Sequence, residues 1–246
     1  KLITGNFTAG IGSRYEYLKY SPEIETFPRV YGKINFLTGF VDLHFNNLNS
    51  PSYPNSGNII DFEAGVNYNQ HPDFKYDDGN SATPQSSPLF SKKAYYSIKY
   101  YSAHYLPIHK HSLFFKLHSG VHFGNKQPFL NDFIVGGNDL VIRNQILFPG
   151  FRTNSIFSSS VIAPQVGLHY SVTKKLVVTA TSSFLKYDFI KSNIIIDENH
   201  GNSSVWGVAL AAGYRSFIGS LEAIFMYNDI NNNISPSFNI GYSLNF

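Results

Sequence analysis

The chain has 246 residues, of which 16% are aromatic and only 14% charged, with a formal net charge of +3. A mean hydropathy of −0.15 and the lack of any run near about 18 apolar residues exclude a helical membrane protein, and a soluble globule would carry about a quarter charged residues. The absence of cysteine excludes a disulfide framework and a thiolate metal site, and the small charge gives no reason to expect nucleic acid as a partner.

From its first residues the chain alternates between apolar and polar side chains, the period of two that is typical of β-strands. In chain order the pattern predicts ten strands, near residues 5–19, 29–46, 58–70, 92–106, 111–124, 157–171, 174–189, 203–216, 219–229 and 234–246. Half-apolar strands in a chain of low charge predict an all-β fold, an antiparallel transmembrane β-barrel of the outer-membrane type.

The connections between these strands alternate in length. Those after the second, fourth, sixth and eighth strands are mostly tight, whereas the intervening loops 21–28, 71–91, 125–156 and 190–202 are long. Short turns on one side and long polar loops on the other are typical of outer-membrane barrels, so we expect the long loops to be extracellular.

The last strand alternates from Ser237 to Phe246 without a break and ends on an aromatic residue. Outer-membrane barrels end in this way, with apolar residues toward lipid, a polar row toward the lumen and a terminal aromatic at the interface. We therefore predict that Tyr242, Leu244 and Phe246 form a C-terminal assembly signal, which the outer-membrane assembly machinery would bind.

Two further segments are more specific than the strand pattern. Residues 46–57 read NNLNSPSYPNSG, and the long loop contains FIVGG at 133–137 and NQILFPGFR at 144–152. The first resembles the N-T-L-[DN]-x-x-x-[FY]-P-[TN]-x-G turn, and the second the Gly-Gly…Arg-Gly-[Phe/Tyr] loop, of the BamA/TamA-like superfamily, whose barrels insert or export outer-membrane proteins. The Asn-Gln-Ile-x-Phe-x-Gly form of the loop is closest to barrels fused behind a patatin-like phospholipase domain, common in Bacteroidetes.

This resemblance implies a strand count. In the superfamily sixteen strands close the barrel, and a loop between the eleventh and twelfth folds into the lumen. Five predicted strands also follow the loop 125–156 here, so the chain resembles the last ten strands of such a barrel. An open edge leaves backbone groups unpaired in lipid, so either six strands lie upstream or the ten close alone, which an even number permits. We expect a C-terminal piece of a longer protein rather than a chain whose leader was removed.

The resemblance also implies a lumenal-loop motif, formed by Gly136, Gly137, Arg143, Gly150, Phe151 and Arg152. The family places an arginine directly before Gly-[Phe/Tyr], where this chain has Pro149, so Arg143 or Arg152 is the substitute. A guanidinium would pair with a carboxylate of the barrel wall and pin the loop. The possible partners, which are in phase to face the lumen, are Asp61, Glu63 and Glu222. In the alternative interpretation both arginines are ordinary solvated loop residues.

The chain shows no catalytic motif of its own. A patatin-type lipase needs a Gly-x-Ser-x-Gly elbow, and the nearest segment, Gly-Ile-Gly-Ser-Arg at 10–14, has the wrong spacing. His118 and His122 lie too far apart along one strand to share an ion unaided, so we expect solvated histidines that face the lumen. We therefore predict no catalytic residue, cofactor or metal within these residues.

The leading hypothesis is that residues 1–246 form one barrel domain in the bacterial outer membrane, the membrane domain of a patatin-type protein. It would anchor or translocate an attached domain, or insert outer-membrane proteins. One alternative is part of an outer-membrane phospholipase whose catalytic domain is absent from this chain, which leaves enzymatic activity open. Others are a porin-like or adhesion barrel, or a scaffold subunit that binds other outer-membrane subunits. Outer-membrane lipid is the expected surrounding in every case.

Overall fold

Fourteen β-strands form in the computed structural model, which describes residues 2–4, 6–20, 29–77, 91–125, 131–137, 143–151, 156–190, 203–216, 219–230 and 232–241. In chain order the strands are β1 (Leu2–Thr4), β2 (Phe7–Tyr20), β3 (Arg29–Asn46), β4 (Gly57–Asp77), β5 (Tyr95–Ile108), β6 (His111–Gly124), β7 (Phe133–Val135), β8 (Gln145–Ile146), β9 (Ile156–Ser158), β10 (Ser160–Ser171), β11 (Leu176–Tyr187), β12 (Ser203–Ser216), β13 (Gly219–Asn228) and β14 (Ser235–Gly241). Among these described residues, no helix is long and apolar enough to cross a membrane.

Eleven of these strands form one continuous sheet in the order β1-β2-β3-β4-β5-β6-β10-β11-β12-β13-β14. Every neighbouring pair is antiparallel. Among the described residues, β1 and β14 are the two edges of the sheet, and no pairing joins them. The predicted all-β antiparallel fold and its ten long strands are confirmed.

Alternation along each strand divides the sheet into two different faces. On β6, the side chains of Phe115 and Phe123 are exposed, whereas those of Ser112, Phe114 and His118 are buried. The exposed apolar row continues on other strands, for example at Ile11, Ile162, Trp206, Leu210 and Phe225. We call this the outer face, which is suited to lipid, and the opposite side the inner face.

Several predicted strand boundaries differ from the structure by one to three residues, and two differences have an identifiable cause. β4 continues to Asp77, beyond the predicted end at residue 70, because it goes on pairing with β3 past an irregularity in register between Asn35 and Leu37. The predicted strand 157–171 is wrong at its start. Ile156–Ser158 pair with β7 in a separate small sheet, and the main-sheet strand begins only at Ser160.

Candidate functional site

The long connection between β6 and β10 folds onto the inner face of the sheet. Its three short strands form a small sheet of order β8-β7-β9, in which Ile134 pairs with Gln145 in parallel and with Phe157 in antiparallel. We call the described parts of this connection, residues 131–137, 143–151 and 156–158, the lumenal loop.

The lumenal loop and the sheet share one apolar core. The buried loop side chains come from the first two described parts, with the partly buried Ile156 of the third packed against them, and the wall side chains come from β10, β11 and β12. Its buried members are Phe133, Val135, Ile146, Phe148, Phe151, Val161, Ala163, Leu185, Tyr187 and Val205. Burial of several large apolar side chains stabilises a packed arrangement by about 1.5–3 kcal/mol each relative to exposure, so the loop is held as part of the folded wall.

Two glycines of the wall allow this close approach. A Cβ atom added to Gly120 of β6 would lie 2.5 Å from ring atoms of Phe133, and one added to Gly207 of β12 would lie 2.9 Å from the Pro149 oxygen and 3.0 Å from the Phe148 ring. Side chains at these two positions would collide with the loop. Gly120 and Gly207, on the inner face, therefore leave the space that the aromatic rings of the loop occupy.

The predicted loop glycines lie at the turns that shape this core. Gly136 and Gly137 have φ angles of 126° and 83°, which residues with a Cβ atom rarely adopt. The Gly136 N–H donates to the Ile146 oxygen at 3.1 Å, and the Gly137 N–H donates to the Phe151 oxygen at 3.0 Å. These glycines thus tie the first part of the loop to the second.

Gly150 and Phe151 anchor the second part of the loop to the wall. The Gly150 oxygen accepts a hydrogen bond of 2.5 Å from the buried side-chain amide of Asn228 on β13, and the Phe151 ring is 4% exposed in the apolar core. Arg152 lies outside the described residues.

Arg143 meets one of the three carboxylates named from the sequence. Its guanidinium forms an ion pair with Glu63 of β4 and lies 6.0 Å from the centre of the Phe40 ring. The neighbouring Asn144 side-chain oxygen accepts a 2.6 Å hydrogen bond from Lys99. Two consecutive loop residues are therefore attached to the charged part of the inner face.

Glu63 is the centre of a larger charged cluster that the sequence did not predict. Arg14 of β2 donates two hydrogen bonds to it, at 2.9 and 2.8 Å, and the Lys99 ammonium lies 3.4 Å away. Arg14 also donates to Glu16 at 2.5 Å. We call Arg14, Glu16, Glu63, Lys99 and Arg143 the Glu63 cluster, in which three cations surround two carboxylates.

The other two carboxylates have different partners. Asp61 pairs with His44 on the neighbouring strand β3, and Glu222 accepts a hydrogen bond from the Tyr53 hydroxyl. The structure brings neither of them to the described part of the lumenal loop. The predicted assembly-signal residues Tyr242, Leu244 and Phe246 lie outside the described residues.

The expectation of solvated histidines is wrong for both His118 and His122, because the lumenal loop covers them. The His122 ring stacks on Phe133 with centroids 4.2 Å apart and planes at 3°. His118 Nδ1 accepts a 3.3 Å hydrogen bond from the Leu147 N–H, so that nitrogen carries no proton. Within the described residues, no group of three or more His, Cys, Asp or Glu is placed to hold a metal ion.

Comparison with known proteins identifies a family. The family model described as the OMP85 superfamily matches residues 1–244 of the chain. A comparison with curated proteins finds none that matches the sequence. The matched residues include the whole sheet and the lumenal loop.

Proposed function

This chain belongs to the OMP85 superfamily, whose members reside in the bacterial outer membrane, and we propose that residues 1–246 are the barrel domain of a patatin-type protein. In this proposal the domain anchors an attached domain at the outer membrane and translocates it. The loop 125–156 fills the lumen, and Arg143 pins the loop to Glu63.

The observation that carries this proposal is the apolar core beneath the lumenal loop. Val161, Leu185 and Val205 point to the inner face and are at most 1% exposed. The lumen of an open porin is water-filled and lined by polar side chains. Because the inner wall has apolar side chains covered by a packed loop, we favour a closed membrane domain rather than an open, porin-like pore.

The patatin-type assignment is supported by the loop stretch at 144–150. Asn144 accepts from Lys99, Gln145 donates to the Gly136 oxygen at 2.6 Å, and Ile146 and Phe148 lie in the shared core. These residues, which match the form of the loop in the patatin-fused subgroup, therefore help to hold the loop in place. In this proposal any phospholipase chemistry belongs to the attached domain.

The test is the intact mass of the native protein isolated from outer membranes, followed by labelling with a fluorophosphonate probe for serine hydrolases. We expect a mass well above 27.7 kDa and a labelled serine in the additional part. A mass near that of the chain would refute the attached domain and favour a porin-like barrel or a scaffold subunit. A larger but unlabelled protein would remove the phospholipase assignment and leave the anchoring role.

A second candidate, insertion of outer-membrane proteins through a seam, is favoured by the edge strand β14. Its described part pairs with β13 over residues 235–241, and Pro236 within it has no N–H to donate, as is usual at sheet edges. A weak edge could pair with an incoming strand. The test is a single cysteine at Asn239, which should cross-link to a nascent barrel protein, whereas one at Ser182 in mid-sheet should not.

A further inference from the structure

The connection between β3 and β4 is unlike the other short connections at its end of the sheet. Residues 109–110 link β5 to β6, and residues 172–175 link β10 to β11 and accept hydrogen bonds from Arg215 on the adjacent strand β12. Residues 47–56, which we call the inward turn, instead make hydrogen bonds with strands on the far side of the sheet. Between its own strands and β12 lie β5, β6, β10 and β11, so these contacts cross the inner space.

The inward turn is internally braced. The Asn49 side-chain oxygen accepts from the N–H groups of Asn55 and Ser56 at 3.1 and 3.2 Å, and the Asn47 N–H donates to the Asn58 oxygen at 2.9 Å. Tyr53, at its tip, has a φ of 49°, an unfavourable conformation for a residue with a side chain that persists where the surroundings over-determine it. The turn therefore presents Tyr53 in one direction.

The first set of contacts is with β6 and β10. Pro54 is buried, and its carbonyl oxygen accepts a 3.0 Å hydrogen bond from the Ser112 hydroxyl. A ring nitrogen of His169, on the neighbouring strand β10, lies 3.4 Å from the same oxygen. The Tyr53 ring also meets the His169 ring edge to face, with centroids 5.7 Å apart.

The second set of contacts is with β12 and β13. The Tyr53 hydroxyl lies directly over Gly213, where an added Cβ would fall 1.8 Å from its oxygen, and it donates to Glu222. Arg215 lies 5.5 Å from the centre of the Tyr53 ring and donates to the Tyr53 carbonyl oxygen at 3.0 Å. Burial, and then the bond to Glu222, raise the pKa of the Tyr53 phenol, so it remains a neutral donor.

We propose that the inward turn is a strap that closes the short-turn mouth of the lumen, latched by Tyr53 onto Gly213 and Glu222. Movement of the strap away from Gly213 would then open that mouth, independently of the lumenal loop at the other end. The proposal needs only the barrel and does not rest on a patatin-type parent or on translocation of an attached domain.

The two closures lie at different heights on the same strands. On β12, Gly207 seats the lumenal loop and Gly213 seats the strap, six positions or about 20 Å apart at the rise of a strand. On β6, Gly120 contacts the loop and Ser112 the strap. Lys116 lies midway between them, on the same face, and is half-buried. A reporter at this position therefore lies between the two closures.

The test uses Lys116→Cys in this cysteine-free chain, labelled in the folded protein by a hydrophilic maleimide. Tyr53→Phe keeps the ring but loses the hydroxyl, so it should label about tenfold faster than the parent Lys116→Cys protein, the population shift expected when a hydrogen bond to a charged group is lost. Tyr53→Ala also loses the ring contacts with His169 and Arg215, so it should label faster still. Pro51→Ala, at an exposed position of the same turn, is the matched control and should label like the parent.

Heat-modifiable mobility on gels reports folding, and Tyr53→Phe keeps the test valid if the alanine variant fails to fold. Equal labelling of the tyrosine variants and the control, including no labelling of any of them, would overturn the proposal.

A second measurement tests the position of the strap directly. Pro54→Cys with Ser112→Cys should be joined by a short thiol cross-linker in the folded protein, and Pro51→Cys with Ser112→Cys should not. Equal cross-linking of the two pairs, or none of either, would also overturn it.

Discussion

Glu63 binds two arginines whose ion pairs we expect to differ in strength. Arg14 makes two parallel hydrogen bonds to the carboxylate, and both side chains are largely buried, with 16% and 15% exposed. Arg143 reaches the same carboxylate with a side chain that is 48% exposed. Bidentate pairs shielded from water are stronger than exposed pairs, because solvent screens the exposed ones.

The magnitudes follow from this difference. Glu63→Gln leaves Arg14, Lys99 and Arg143 with only Glu16 as a carboxylate in the Glu63 cluster, and removal of one partner from a buried ion pair costs about 3–5 kcal/mol. In double-mutant cycles with Arg14→Met, the coupling to Glu63 should be about 1.5–3 kcal/mol, the range of hydrogen bonds to charged groups. With Arg143→Met it should be about 0.2–1 kcal/mol, the range of exposed pairs.

The assay is equilibrium unfolding in urea of the protein in lipid vesicles, followed by the fluorescence of Trp206. This residue is the single tryptophan of the chain and lies on the outer face, away from the cluster. Lys33 and Asp73, 3.6 Å apart and 56% and 69% exposed, provide a control cycle with a coupling of about 0–0.5 kcal/mol. A coupling of Arg143 equal to or larger than that of Arg14 would refute the reasoning, and so would a neutral Glu63→Gln.

Three further predictions concern the seating of the lumenal loop. Gly136→Val with Gly137→Val should cost about 1–3 kcal/mol per site, because both φ angles are positive, and should raise single-channel conductance; unchanged conductance and heat-modifiability would contradict the inward fold. Gly207→Val should destabilise by about 1–3 kcal/mol through overpacking, whereas Gly39→Val, whose added Cβ meets only ordinary contacts of 3.7 and 4.0 Å, should unfold at the parent's urea midpoint. Phe133→Ala should lose about 3–5 kcal/mol from a fully buried position, measured by the same titration; a loss below about 1 kcal/mol would show that the loop is not packed there.

The strands could be predicted because lipid on one face and the inner space on the other impose a period of two on the sequence. β6 at His111–Gly124 and β12 at Ser203–Ser216 coincide with the predicted ranges. The start of β10 could not be predicted in this way. Three consecutive serines at 158–160 carry no apolar–polar signal that the chain changes sheets between Ser158 and Ser160, where the Ser159 oxygen accepts from the His122 N–H.

The partners of the inward carboxylates could be predicted only in part. Alternation shows which face a side chain is on, and it places Asp61, Glu63 and Glu222 on the inner face. Register and height decide what each one meets. Asp61 lies opposite His44 in the β3–β4 pairing and binds it, whereas Glu63 lies at the height of the loop. These long-range relations leave no local signal in the strand pattern.

The aromatic residues of the connections and the glycines of the wall have to be considered together. Three wall glycines each lie under an aromatic ring that arrives from a connection rather than from a neighbouring strand, in the pairs Gly120 with Phe133, Gly207 with Phe148, and Gly213 with Tyr53. In a strand, glycine is unfavourable for the backbone and buries no side chain, so it marks places where another chain segment approaches closely. The inner space is therefore shaped to receive its own connections from both ends. This arrangement supports a barrel whose closed state is the resting state, and it makes each seat a point where one added methyl group should loosen a closure.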